Sequence, residues 1–443
     1  MNVLLVFSDQ QNPMALGRRN AQYITPHLDQ LCDEGVLFEN GYSANPVCGP
    51  YRGCLMTGQF TSHCKVFCNN DPLCADAYSL ASAMKDAGYA TSYVGKWHLG
   101  ATGNIPVAQE YRKGFTRFMG YQCYNGFNPA PPYYNDVKFF NQDDKCFSLP
   151  LHRTDATTAL AVEELRLLAQ AEKPFFLAVS YQAPHYPEQP AAEYAKLYAD
   201  TVFQMREDYL PTDPYTPTKS PASKTPVETC PDYQNYGGNM QQYLRLYAGL
   251  CTQIDAGVGK LTQTLKTLDL YDDTMIIYTS DHGDMQGSRG LKNKCHPYEL
   301  SCGVPFIVRY PNGRCGEQSK ELVSCVDVYP TLLELANADA KSALDGVSLL
   351  PYLKGNSEKT QDFVIAEHTS TQQWRMIRTA RFKLIVSLSY EPKELYDLCD
   401  DPLEQKNLKD CEQQQAQIKH MLAILKKKTG IISASPQTEF TNS

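Results

Sequence analysis

The sequence predicts an α/β fold: a central, mainly parallel sheet covered by helices, followed by a small antiparallel sheet packed with a helix. Three observations carry this. Short apolar runs recur along the chain, and the clearest, Val3-Leu4-Leu5-Val6-Phe7 and Met275-Ile276-Ile277-Tyr278, are apolar on both faces, as central parallel strands are. Segments of helical periodicity alternate with them, which is the rhythm of crossover units. Beyond about residue 355 the rhythm changes to short, closely spaced alternating runs with no room for intervening helices. The expected organisation is a large domain over 1–355 and a small α+β domain over 356–443.

The elements follow in order. Val3 to Phe7 is a strand ending in Ser8-Asp9-Gln10-Gln11, and polar residues at the carboxyl end of such a strand stand where α/β proteins place their sites. Thr25-Pro26-His27-Leu28 opens a helix, a capping residue followed by proline at the first helical position. Val36 to Phe38 is a strand leading to the segment around Cys48. Ser79 to Ala87 is a helix stopped by Gly88, and Ala90 to Val94 is a strand ending in Gly95-Lys96-Trp97-His98. Residues 101–150 are rich in Tyr, Asn, Pro and Phe without periodicity. Thr154 to Ala171 is an amphipathic helix, and Pro174 to Ser180 a buried strand ending in Ala183-Pro184-His185. Residues 186–240, with Pro-Thr and Pro-Ser runs, predict a long surface insertion. A long helix from Asn239 to Leu268 precedes the strand Thr274 to Thr279, which ends in Ser280-Asp281-His282-Gly283-Asp284. Val304 to Arg309 is a strand and Asp327 to Ala336 a helix. Then come the short alternating segments Phe363 to Ala366, Trp374 to Arg378 and Phe382 to Val386, followed by Glu394 to Leu398, which together predict a small antiparallel sheet. A helix from Gln413 to Lys427 and a loose polar tail close the chain.

Composition narrows the function. The net charge of −8 argues against a nucleic-acid binder, and an anionic substrate needs a local positive site against that field. No apolar run reaches the length of a membrane span. The first residues lack a basic region and a small-residue cleavage site, so the sequence as it stands predicts a cytoplasmic protein, or a periplasmic or secreted one if a leader has been removed. The 16 cysteines are scattered and lack paired zinc-ligand spacing, so most are expected to be reduced, buried small hydrophobes. Oligomeric state is left open.

Chemistry concentrates at the strand ends. Asp9 and the pair Asp281-His282 bring carboxylates with one imidazole, a set suited to a hard divalent cation. Lys96 offers a point charge to an oxyanion, and His98 a proton acceptor near neutral pH. His185 follows another strand in an Ala-Pro-His element. Lys292 and Lys294 flank Asn293 shortly before Tyr298-Glu299, so either lysine can be the one that faces the site. Between the first two strand ends lies Cys48-Gly49-Pro50-Tyr51-Arg52, continued by Gly53-Cys54-Leu55-Met56-Thr57-Gly58.

A Cys, a Pro two residues on, an Arg two further, then Thr-Gly, resembles the signature of the type I sulfatases. Gly95-Lys96-Trp97-His98, Ala183-Pro184-His185, Asp281-His282 and the lysine four residues before Tyr298-Glu299, which is Lys294, fall in that family's order. Arg378-Thr379-Ala380-Arg381-Phe382-Lys383-Leu384 and Glu394-Leu395-Tyr396-Asp397-Leu398 resemble its C-terminal region. The resemblance implies the alkaline-phosphatase-like α/β sandwich, and a Cys48 oxidised to formylglycine by a maturation enzyme. The aldehyde hydrate would attack sulfur with one hydroxyl and expel sulfate with the other, a step a serine ester lacks. Arg52 would hold the diol and the local negative charge. Asp281 would take the nucleophile's proton, His185 would assist the leaving oxygen, and His98 would trigger sulfate expulsion. Lys96 and Lys294, with His98 and His185, would bind the sulfate. One divalent metal would be held by Asp9, Gln10, residue 48, Asp281 and His282. Gln10 replaces the family's second Asp and His282 its Asn; the nitrogen ligand weakens the case for calcium and admits manganese or magnesium, while the dominance of oxygen ligands keeps calcium first.

The expected activity is release of sulfate from a monoester, either a small-molecule or an oligosaccharide sulfate ester, with a sulfated carbohydrate preferred. Tyr121, Tyr124, Asn125, Tyr133, Tyr134, Tyr233 and Tyr236 lie in the two irregular stretches expected to wall the pocket. The rivals are a phosphonate monoester or phosphodiester hydrolase, an aryl sulfatase or a choline-sulfatase-like enzyme on the same scaffold. A non-catalytic binding protein with Cys48 unmodified is the rival from another class.

Overall fold

Among the described residues, eleven strands form the main sheet. The structure, a computed structural model, describes residues 1–126, 137–210 and 239–430. The strands are β1 (Asn2–Asp9), β2 (Val36–Tyr42), β3 (Ala90–Lys96), β4 (Arg117–Tyr121), β5 (Phe139–Asn141), β6 (Cys146–Phe147), β7 (Phe175–Pro184), β8 (Thr274–Ser280), β9 (Gly303–Val304), β10 (Phe306–Arg309) and β11 (Glu317–Ser324). Their order is β11-β2-β10-β8-β1-β7-β3-β4-β5-β6, with β9 pairing to β2. The centre, β8-β1-β7-β3-β4, is parallel throughout, while β10 runs antiparallel to β8 and β2. The carboxyl ends of β8, β1, β7 and β3 therefore lie side by side on one edge. Asp281, Asp9, His185 and Lys96 stand at or just after those ends.

Strand β1 shows why both faces are apolar. Val3, Leu5 and Phe7 point into one core, which also holds Ile365, Leu384 and Leu425 of the C-terminal region. Leu4 and Val6 point into the other, against Leu160 and Leu165 of the helix Arg153–Leu168 and Ile254 of the helix Met240–Thr267. The alternation of side chains along a strand thus serves two helical layers at once. Ser79 caps the helix Leu80–Asp86 through its Oγ, and Asn239 caps Met240–Thr267 by accepting from the N–H groups of Gln241 and Gln242.

The second sheet, β12 (Phe363–His368), β13 (Trp374–Thr379), β14 (Phe382–Ser387) and β15 (Pro392–Asp397), is antiparallel in that order, with the helix Gln415–Thr429 against it. This matches the alternating pattern after residue 355. Three features differ from expectation. Residues 101–150, expected to be irregular, contain β4, β5 and β6 at the sheet edge. Val304 to Arg309 is split at Pro305 into two short strands, because proline lacks the N–H a continuous ladder needs. Strand β11 was not expected, since Glu317-Gln318-Ser319-Lys320-Glu321 is polar; among the described residues it is an edge strand paired to β2. The polar tail, residues 431–443, lies outside the described residues.

Candidate active site

Cys48 is the first residue of the helix Cys48–Thr57. In its first turn the Gly49 N–H donates to Asn69 Oδ1 at 2.9 Å and Pro50 carries no N–H, so the helix start serves to place the Cys48 side chain. The glycines let the helix approach the 66–69 segment: a Cβ on Gly53 would come within 2.7 Å of Val66 Cβ, and one on Gly49 within 2.9 Å of Asn69 Cα. Arg52, one turn on and on the same face, is fully buried.

The predicted residues converge. Cys48 Sγ lies 3.1 Å from Lys294 Nζ, 3.4 Å from His282 Nε2 and 3.6 Å from Asp9 Oδ1. Lys294, not Lys292, is therefore the lysine that reaches Cys48. Lys96 Nζ lies 2.5 Å from Asp9 Oδ2. Arg52 Nη2 stands 3.4 Å from Asp9 Oδ2 and 3.5 Å from Asp281 Oδ2, and its Nη1 donates to Ser180 Oγ at 2.9 Å. Its fork thus braces the two carboxylates. Gln10, at φ +70°, donates its backbone N–H to Asp281 Oδ1 at 2.9 Å, tying the end of β1 to the end of β8. His185 donates its backbone N–H to Asp9 O at 3.0 Å. The backbone N–H of His98 donates to Gln122 O, and neither ring nitrogen of His98 has a hydrogen-bond partner among the described residues.

Charge is concentrated here. Burial opposes a thiolate at Cys48, but Lys294 and Lys96 outweigh it and hold the thiol well below its ordinary value. Burial and the charge of Cys48 push the Asp9 carboxyl up; Lys96, His185 and Lys294 together pull it below the usual carboxylate range. Asp281 goes the other way, raised by burial and by Asp9. Burial, with Lys96, lowers His98 to about 4, and burial with Lys294 lowers His185. Both imidazoles are held neutral, as proton acceptors must be.

A divalent cation fits this donor set. Ligand atoms of Asp9, Cys48, Asp281 and His282 all lie within 4.8 Å of one another and are buried. His282 Nδ1 is bonded to Gly283 O at 2.9 Å, which leaves the Nε2 lone pair facing the cluster. Among the described residues Asp281 Oδ2 has no hydrogen-bond partner and faces the Arg52 guanidinium at 3.5 Å, so it can take a further positive partner. The Gln10 amide nitrogen donates to Asp284 and Asn293, both at 3.3 Å, which frees its carbonyl oxygen as a further donor. Asp284 itself, fully buried and accepting from Tyr243 Oη, is a supporting residue the sequence reading did not single out. Its position in Asp281-His282-Gly283-Asp284, at a strand end, was the available signal.

The pocket-wall expectations divide. Tyr121 is buried edge-on against Phe139 and belongs to the core. Tyr124 and Asn125 are more exposed and are tied to Gln182, three residues before His185. Tyr133, Tyr134, Tyr233 and Tyr236 lie outside the described residues.

Buried lysines, an arginine and a carboxylate–imidazole cluster around one nucleophilic side chain, at the carboxyl edge of a parallel sheet, define a hydrolase that works on a tetrahedral oxyanion ester. Comparison with known proteins supplies the family. The Sulfatase family matches residues 1–338, and the N-sulphoglucosamine sulphohydrolase C-terminal family matches residues 287–430. An uncharacterized sulfatase, YidJ of Escherichia coli, is 30% identical over 434 residues, covering 92% of this chain and 83% of that protein. A solved structure bound to its substrate D-glucosamine-2-N,6-O-disulfate superposes with a TM-score of 0.79 at 24% identity, over 97% of this chain and 98% of that one. The phosphonate monoester hydrolase of Agrobacterium radiobacter superposes with a TM-score of 0.76 at 23% identity, over 96% of this chain and 95% of that one. At such identities these two show the shared fold. The chain belongs to the sulfatase family, with the alkaline-phosphatase-like fold, and is a hydrolase of sulfuric esters. Among the described residues no helix is long and apolar enough to cross a membrane.

Proposed function

We propose that the chain releases sulfate from a sulfated carbohydrate, with residue 48 oxidised to formylglycine as nucleophile. The single observation that carries this is Cys48 at a helix start, with Lys294, His282 and Asp9 within 3.1–3.6 Å of its sulfur. Cys48 stands here in its encoded form, and Sγ marks where an attacking oxygen would lie. Lys96 and Lys294 supply fixed positive charge for the transferring group, and Arg52 keeps the flanking carboxylates from repelling it. A cation held by Asp9, Gln10, Asp281 and His282, calcium before manganese or magnesium, would add charge stabilisation at the same point.

Asp281, raised by burial, is suited to take the nucleophile's proton. His98, held neutral by burial and Lys96 and standing beside residue 48, is suited to accept the proton of the second hydroxyl as sulfate leaves. His185 is neutral in the free protein; a bound dianionic transition state favours its protonation, and it then serves the departing oxygen. A host formylglycine-generating enzyme is a required partner. The sugar preference is supported by the similarity to a protein bound to a disulfated glucosamine and by Tyr124 and Asn125 on the β4 side.

The test has two arms. Mass spectrometry of the Cys48 peptide is expected to show the aldehyde after co-expression with a maturation enzyme. A panel of sulfated mono- and oligosaccharides, beside an aryl sulfate and an aryl phosphonate with one leaving group, is expected to favour a sugar sulfate. Faster turnover of the phosphonate would assign the chain to phosphonate hydrolysis, for which the superposition on a phosphonate monoester hydrolase gives a fold precedent.

A further inference from the structure

Lys294 depends on a strained loop. The residues on either side of it lie in the left-handed region, Asn293 at φ +54° and Cys295 at φ +76°. Asparagine tolerates that conformation; cysteine does so only when the surroundings hold it there. Four contacts hold it. Met285 N–H donates to Asn293 O at 2.8 Å, and Gln10 Nε2 donates to Asn293 Oδ1 at 3.3 Å. Cys295 N–H donates to Pro46 O at 3.3 Å, two residues before Cys48. The fourth contact comes from the other sheet: Trp374 Nε1–H donates to Cys295 O at 2.9 Å.

Trp374 is well placed for this. It is 5% exposed, sits at the start of β13 and pairs with His368 on one side and Ser387 on the other. Its ring packs in one cluster with Met285, Leu291 and Leu300 of the loop region and with Val364 and Tyr396 of the second sheet. A carbonyl locked by an indole on a rigid strand fixes the peptide that follows Lys294. The lysine's long side chain then reaches Cys48 Sγ from a set backbone position.

We infer that Trp374 is a positioning residue for the sulfate site: through its indole N–H it holds the strained Cys295 peptide, so that the C-terminal sheet sets the placement of Lys294 on the transferring group. The inference rests on the reading of Lys294 as an oxyanion partner. The indole N–H of Trp374 is spent on the Cys295 carbonyl, so it acts through the loop. This gives the second sheet a part in the reaction beyond covering the core.

A double-mutant cycle on the matured, metal-loaded full chain tests it. Trp374→Phe keeps a ring and removes the donor. It is expected to lower kcat/KM for a sulfate ester about 10- to 100-fold, the scale of an ångström-level misplacement, and to weaken binding of inorganic sulfate measured by calorimetry. In a Lys294→Ala background the same change is expected to alter either quantity less than about 2-fold, because coupled sites are not additive. Trp374→Leu, which also lacks a donor, must behave as Phe does, and Trp374→His, which keeps a ring N–H, must fall nearer the parent. Equal losses with and without Lys294 would show that Trp374 only stabilises the fold and would overturn the inference. No loss in either background would overturn it as well. Coupling in sulfate affinity in a protein that hydrolyses no sulfate ester would uphold the inference and remove the proposed function.

Discussion

At the scale of single residues, the pair Cys48 and Arg52 shows how spacing becomes chemistry. Four residues apart on one helix, they face the same way; the first meets Lys294 and His282, the second meets Asp9 and Asp281. Under the proposed mechanism Cys48→Ala should abolish turnover. Cys48→Ser should give at most a single sulfation, since serine can attack but has no second hydroxyl to expel the group. Burst kinetics followed by stalling is the signature; steady turnover near the parental rate would exclude the aldehyde mechanism. The two neutral histidines should separate by leaving group. His185→Ala is expected to cost about 10²–10⁴-fold in kcat/KM on an alkyl or sugar sulfate and far less on a nitrophenyl sulfate, whose phenolate leaves unaided. His98→Ala should slow both alike once release of sulfate limits. Equal losses on both substrates for His185→Ala would make it a binding residue and send the search for the acid to Lys294.

At the scale of elements, the site is made by strand ends meeting. Asp9 on β1 and Asp281 after β8 are joined through the Gln10 N–H, and the cation donor set exists only because those strands are parallel neighbours. Elemental analysis of purified active protein is expected to find one divalent metal, calcium first, and Asp281→Ala should lose it. Full occupancy in that variant would refute the ligand set. A second junction joins the loop after Lys294 to the C-terminal sheet. Lys383, fully buried on β14, lies 2.5 Å from Glu299 and 2.7 Å from Glu404 and donates to Pro297 O at 3.1 Å. Lys383→Met removes the ammonium that lies between Glu299 and Glu404. A cost of about 3–5 kcal/mol in urea-induced unfolding is expected, the usual result of removing one partner from a buried ionic cluster.

At the scale of the whole molecule, the two sheets share one apolar core. Val3, Leu5 and Phe7 of the main sheet lie in the same cluster as Ile377, Val386 and Met421 of the C-terminal region. A chain ending at residue 355 would expose that face as well as lose Trp374 and Lys383. It is expected to be insoluble or to lack a cooperative unfolding transition, checked by circular dichroism after expression. A soluble, cooperatively folded 1–355 fragment would show the boundary to be an independent domain edge.

What the sequence determined by itself was everything that depends on local order. The doubly apolar runs marked β1, β7 and β8, and the β-branched and aromatic run Ala90 to Val94 marked β3. Polar clusters at their ends marked Asp9, Lys96, His98, His185 and Asp281-His282, and the alternating runs after 355 marked the four strands of the second sheet. These were legible because a strand's burial on both faces and the placement of sites at strand ends both leave a mark in consecutive residues. The tertiary structure alone decided what depends on residues far apart. It brought Lys294, the lysine the family resemblance named, to 3.1 Å from Cys48, since only the fold carries a side chain from the 293–295 turn to that sulfur. It placed the polar run 317–321 in a strand, because an edge strand draws its stability from a neighbour's backbone and leaves its side chains in solvent. It also turned Arg52 onto the carboxylates and set Trp374 on the Cys295 carbonyl. A buried charge or donor takes whichever partner packing presents to it, and that partner is not written in its own stretch of chain.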